Sequence, residues 1–341
     1  MTKHLYILIL LFFAAACVKD KPNNTVQPVL QLSSDKKVYV VNEGNFMAGN
    51  ASVSLYDPGT NQVIEDFYKA QNNLSLGDVA QSITSFNTDF YVVVNNSNKI
   101  VVCNDQFKFK TVIAGFTSPR YLIPVSNSKA YVSDYLSNCI WVVNLNSNSI
   151  TTSIPCSGWT EKMVLIYNKV FVTNMKKNFV YVINTVNDSK TDSINVGPNA
   201  GNIITDKNDN IWVLSSGDKP NSVNATLKKI NPVTNTVEST LTFNSNDAPG
   251  YLCINKTKDT LYFLNNGIYK MPVTAAGLPS VPFINGGNNF YGLGINPNDY
   301  TIYAADALDY IQKSNIYIFY ANGNQKTMFK AGINSNGFYF E

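Results

Sequence analysis

Seven short segments of this chain share one pattern, a strand with an aromatic residue in its third place. They are "KVYVVN" at Lys37, "DFYVVV" at Asp89, "KAYVSD" at Lys129, "KVFVTN" at Lys169, "NIWVLS" at Asn210, "TLYFLN" at Thr260 and "TIYAAD" at Thr301. Successive copies begin 52, 40, 40, 41, 50 and 41 residues apart. Each is followed by a second alternating strand, such as "CIWVVNL" or "FVYVIN", and in most copies by a third, such as "SITTSIP". A more apolar segment, such as "RYLIPV" or "YLCIN", precedes the next copy. Four strands per unit of about forty residues mark a β-propeller, and a sandwich would not repeat so regularly. The reading is an all-β, seven-bladed propeller of four-stranded antiparallel blades. Strands are labelled A to D outward from the axis, the aromatic-bearing strand being B.

The ends of the repeat specify closure. No A-type segment precedes Lys37, and "INSNGFYFE" at the C-terminus is A-type with no B strand after it. The last strand therefore completes blade 1 and leaves no free edge there. The propeller is assigned to residues 37–341.

Before it stands a targeting segment. Lys3 and His4 precede an apolar run, Leu5 to Ala16, too short to span a membrane comfortably. "AAAC" then ends at Cys17, and small residues before a cysteine resemble the lipobox of bacterial lipoproteins. The expectation is a signal peptide over 1–16, lipidation at Cys17 and a polar tether over 17–36. The expected location of such a chain is the outer membrane, held by its lipid, with the cell surface and the periplasmic leaflet both open to it.

Cleavage at Cys17 would remove His4, the only histidine in the sequence. Without imidazole there is no Ser-His-Asp triad and no histidine-based metal site. Glu43, Asp78, Asp134, Asp247 and Asp306 come from different blades and form no paired acid–base motif. "TDKNDN" at Thr205 lacks the spacing of a calcium loop. The expectation is a protein that is not an enzyme, with no metal and no cofactor. Nucleic acid is excluded as a partner as well. The formal charge is only +3, and Arg120 is the only arginine.

Loop placement points to a binding face. In an up-and-down blade the B–C loops and the D-to-A crossings share one face. Blades 1 and 5 carry the excess length, much of it in the B–C loops "NEGNFMAGN" and "SSGDKPNSVNA". Extra length on one face of a repeat protein commonly marks its binding face. The opposite turns, such as "DPGTNQ" and "NPVTNT", are bland.

"VNEGNFMAGNASVSLYDP", "LGDVAQSI" and "YVVVNNSNKI" together resemble the YncE-like surface-lipoprotein propellers of the DUF5074 class. The resemblance covers essentially the whole mature chain. It implies coupling to a TonB-dependent outer-membrane transporter, and in one branch the capture of vitamin B12 or another corrinoid. With no imidazole to ligate cobalt, capture would rest on aromatic contact and on hydrogen bonds to the ring's amide arms. Chosen by face and residue type, the candidate contacts are Asn42, Glu43, Asn45, Phe46, Asp78, Asn95, Asn96, Arg120, Tyr135, Trp159, Tyr251 and Tyr291. The alternative is a protein- or glycan-binding propeller serving adhesion or envelope organisation, with a flatter face.

Four cysteines follow Cys17. Cys139 opens a C strand and Cys156 closes the D strand after it, so folding about "NLNSNS" sets them nearly opposite. An exported compartment permits a bond, and a Cys139–Cys156 disulfide is expected. Cys103 and Cys253 lie on distant blades and read as small core residues.

Overall fold

A computed structural model describes residues 36–341. The expected signal peptide, Cys17 and nearly all of the tether lie outside the described residues. The described residues form seven four-stranded sheets, each a meander of consecutive strands apart from the first. In blade 1, Val38–Asn42 pairs on one side with Ser52–Asp57 and on the other with the C-terminal strand Ser335–Phe340. The propeller is closed as the sequence indicates. No helix among the described residues is long and apolar enough to cross a membrane.

The recurring aromatic does the work of joining blades. Tyr39, Tyr91, Tyr131, Phe171, Trp212, Tyr262 and Tyr303 are all buried. Tyr131 packs with Val170 and Val172 of blade 4, and Phe171 with Ile203, Ile211 and Val213 of blade 5. Trp212, Tyr262 and Tyr303 do the same toward blades 6, 7 and 1. At blade 1, Tyr39 stacks on Phe107 and meets Phe90 of blade 2. A strand alternates its side chains, so one face of each blade meets the blade before it and the other the blade after. Blade-to-blade contact is continuous around the ring.

A short helix, Phe67–Asn72, takes up part of the extra length after blade 1. Asp66 caps its start through the Lys69 amide, and it buries Phe67 and Tyr68. Ring contacts tie both to Phe107. The sequence carries no helical periodicity long enough to reveal so short a helix.

The expected Cys139–Cys156 bond is not formed, and among the described residues both are buried free thiols. The pairing of Cys139–Asn144 with Ser149–Pro155 contains a bulge that leaves Thr151 unpaired. Beyond it the register has slipped by one, and Cys139 faces Pro155. Successive residues point to opposite faces of a sheet, so the slip turns Cys156 away from Cys139. Cys156 packs with Ile140 and Ile154 toward blade 4, whereas Cys139 lies on the side of Trp141, which packs toward blade 2.

Two outcomes are expected. Phe171→Ala should cost about 3–5 kcal/mol by urea denaturation, as for other buried aromatics, and a loss below about 1 kcal/mol would contradict the interblade role. Residues 36–341, unfolded without reductant, should titrate all of Cys103, Cys139, Cys156 and Cys253 as thiols. Loss of two of these thiols to an oxidised pair would contradict the register.

Candidate functional site

The seven inner strands share an irregularity near their first residues. In each, the register against strand B slips by one residue at a β-bulge that holds one or two residues. The residues in these bulges are Asn336, Gln81, Arg120–Tyr121, Glu161–Lys162, Gly201, Tyr251 and Tyr291. A bulge re-aims the side chain it carries. Here six of the seven bulges contribute to one cavity of about 270 Å³ on the loop face, and Asn336 of the seventh bonds to its Glu43 wall.

Tyr251 shows what the aiming requires. It holds a left-handed φ of 44°, unusual for an aromatic residue and an observed strain of the kind that gathers at functional sites. Gly201 is the one bulge residue without a side chain. A Cβ there would meet Met175 Sδ at 2.8 Å, so the methionine fills that part of the wall.

Two linked networks line the cavity. On one side Arg120 donates from Nε and Nη2 to the two Glu161 oxygens, at 2.9 and 2.8 Å. Trp159 Nε1 also donates to Glu161 at 2.5 Å, and the Arg120 guanidinium lies 5.5 Å from the Trp159 ring centre. Burial acts to lower the Arg120 pKa, but the Glu161 charge and hydrogen bonds prevail and raise it. On the other side Glu43 accepts from Asn336 Nδ2 at 2.8 Å and from the Tyr291 hydroxyl at 3.1 Å. Asn336 Nδ2 also donates to the Gln81 carbonyl, and Gln81 Nε2 to the Tyr121 hydroxyl.

Burial dominates at Glu43 and raises its pKa, against the opposing effects of those two hydrogen bonds and of Arg120. Burial also raises the Tyr121, Tyr251 and Tyr291 phenols. They remain protonated and able to donate. Among the described residues, Gln81 Oε1 and Asn336 Oδ1 have no partner, in residues 6% and 7% exposed.

Of the residues expected from sequence, Glu43, Arg120, Trp159, Tyr251 and Tyr291 line the cavity. Tyr135 stands beside them, its ring 4.3 Å from that of Trp159. Asn42 and Asn95 do not reach it. Both are buried at the end of strand B, where they tie neighbouring strands and crossings together. Asn42 bonds to Ser52, Ser54 and Ser335, and Asn95 to Ser118 and Pro119.

Asn45, Asp78 and Asn96 brace the long loop of blade 1. Asn45 donates to the Tyr310 carbonyl, and Asp78 accepts from the Met47 amide and from Asn96. The loop turns at Gly44, whose φ is 76° and where a Cβ would fall 2.9 Å from the Ala51 amide nitrogen. Phe46 is left at its tip, 67% exposed.

The sequence reading missed Gln81, Tyr121, Glu161, Lys162 and Asn202, all of which line the cavity, and Asn336 behind it. A signal for them exists. In every A-type segment the site residue follows Ala80, Pro119, Thr160, Ala200, Gly250, Phe290 or Ser335, so aligning the repeats on those positions would have exposed the ring.

Together these features define the class: a closed seven-bladed propeller with a polar and aromatic cavity among the bulged ends of its inner strands. The model of the domain of unknown function DUF5074 matches residues 36–341, and the chain belongs to that family. No curated protein matches it. Among solved structures, a quinonprotein alcohol dehydrogenase-like protein from Bacteroides thetaiotaomicron is similar at 16% identity and a TM-score of 0.72, covering 90% of this chain and 78% of its own. A functionally unknown protein from Desulfotomaculum acetoxidans has 14% identity and a TM-score of 0.67 over 90% and 99%. Hydrazine synthase from Kuenenia stuttgartiensis has 11% identity and a TM-score of 0.64 over 73% and 85%. At these identities the likeness is one of fold alone.

Glu43 gives a pH test. Its folded pKa lies above the ordinary value of 4.5, so the folded state holds the proton more tightly. Its contribution to stability is present below the unfolded pKa and falls as pH rises through the folded one. Glu43→Gln keeps an acceptor and removes the charge. The melting temperature of the variant minus that of the wild type should therefore increase between about pH 4 and about pH 7. A difference that does not vary with pH would contradict this.

Proposed function

We propose that this propeller is a capture protein: it binds a small-molecule nutrient, foremost vitamin B12 or another corrinoid, without catalysis. On this reading lipidation at Cys17 holds it at the outer membrane, and a TonB-dependent transporter receives the ligand. The observation that carries the proposal is the cavity itself, in which Tyr121, Trp159, Tyr251 and Tyr291 stand among the polar Glu43, Gln81, Lys162 and Asn202. Carboxamide arms offer N–H donors to Glu43 and Asn202, and their carbonyls accept from Lys162 or from a tyrosine.

Size sets the pose. About 270 Å³ is too small for a corrin ring. One amide arm would enter the cavity while the ring lies over Trp159, Tyr135 and the Phe46 loop. Aromatic side chains provide the large apolar area this needs.

Calorimetry of residues 27–341 with cyanocobalamin and with cobinamide, which lacks the nucleotide base, tests the reading. One-to-one binding of both is expected, weakened about ten-fold or more by Trp159→Ala. Absence of heat and of any thermal shift at saturating ligand would refute it. The exposed Phe46 and Met47 on a braced loop would then favour the second reading, a protein- or glycan-binding face.

A further inference from the structure

Two cavities meet at one lysine. Next to the axial cavity lies a second of about 300 Å³, walled mainly by Leu122, Ile123, Pro124, Met163 and Ile203 on the inner strands of blades 3 to 5. Tyr121 and Lys162 line both. Lys162 Nζ donates to Asn202 Oδ1 at 2.8 Å and stands 5.8 and 5.5 Å from the Tyr121 and Tyr251 ring centres. Among the described residues it forms no ion pair, because the adjacent Glu161 carboxylate is engaged by Arg120 and Trp159. An ammonium has three donors, and burial disfavours its charge unless an anion faces it. Burial indeed lowers the Lys162 pKa.

We propose that Lys162 and the second cavity form a binding site for a small amphiphilic anion, its oxyanion head on the ammonium and its apolar body among Leu122, Ile123, Met163 and Ile203. The two halves demand different things of one molecule. The cation, set between two aromatic rings, favours a carboxylate over a neutral or cationic head. The apolar walls favour a hydrocarbon body over water. A cavity of about 150 Å³ accepts benzene, so twice that volume has room for a short acyl chain or an aryl group. The site shares Lys162 and Tyr121 with the proposed capture face, but it does not depend on a corrinoid binding there.

Calorimetry of residues 27–341 with octanoate, octan-1-ol and inorganic phosphate separates the requirements. Saturable one-to-one binding of octanoate is expected, with the alcohol and phosphate each about ten-fold weaker or more. Lys162→Met should weaken octanoate by a similar factor, Lys162→Arg should keep it within a few-fold, and Ile123→Trp, which fills the cavity, should remove it. Octanoate binding no tighter than the alcohol, or no tighter than phosphate, would overturn the proposal. So would an unchanged affinity in a folded Lys162→Met. If that variant does not fold, the three ligands on the wild-type protein decide.

Discussion

Everything in this molecule depends on the packing of each strand-B aromatic against the next blade. A single four-stranded blade has two apolar faces and cannot bury either by itself. Tyr131 of blade 3 and Phe171 of blade 4 each bury one face of the next blade, and the remaining copies continue the series. The series must close, because an open ring would expose one face of blade 1 and one of blade 7. Ser335–Phe340 closes it by pairing with Val38–Asn42, and Tyr303 then packs against Phe338 and Phe340. Stability is thereby settled between the blades, and the loop-face ends of the inner strands are free to depart from regular pairing.

That freedom is used at the same place in every blade. A bulge in a regular strand forfeits ladder hydrogen bonds, and seven at one level are a consistent departure rather than a scatter of defects. They gather opposite charges close to the axis. Arg120 and Glu161 come from adjacent inner strands, each largely buried, and pair through two hydrogen bonds. Desolvation of such a pair can cancel its attraction, so it is better understood as fixing geometry than as supplying stability. It fixes Trp159 too, through the indole N–H. With Glu161 engaged in this way, Lys162 faces the cavity without an ion pair of its own among the described residues.

The sequence revealed what repeats and hid what interrupts the repeat. Blade number and closure were legible because they follow from strand alternation, and the loop face because it is where the chain lengthens. The bulged residues were not, since a bulge breaks the alternation on which strand reading relies, and Gln81 or Glu161 then looks like any polar residue at a strand end. Asn42 and Asn95 were misjudged for a related reason. An asparagine on the loop face can serve a ligand or hold the scaffold, and only the partners Ser335 and Ser118 reveal the second role. The single unpaired Thr151 likewise separated Cys139 from Cys156.

A double-mutant cycle on Arg120 and Glu161 tests the central claim most directly. These residues lie 41 positions apart in the chain and meet only if the inner strands of blades 3 and 4 bulge toward a shared axis. Stabilities of the wild type, Arg120→Met, Glu161→Gln and the double variant would be measured by urea denaturation. The structure predicts a favourable coupling of about 1–3 kcal/mol. Additive effects, with a coupling near zero, would mean that the bulges do not bring their side chains together, and the axial cavity would lose its foundation.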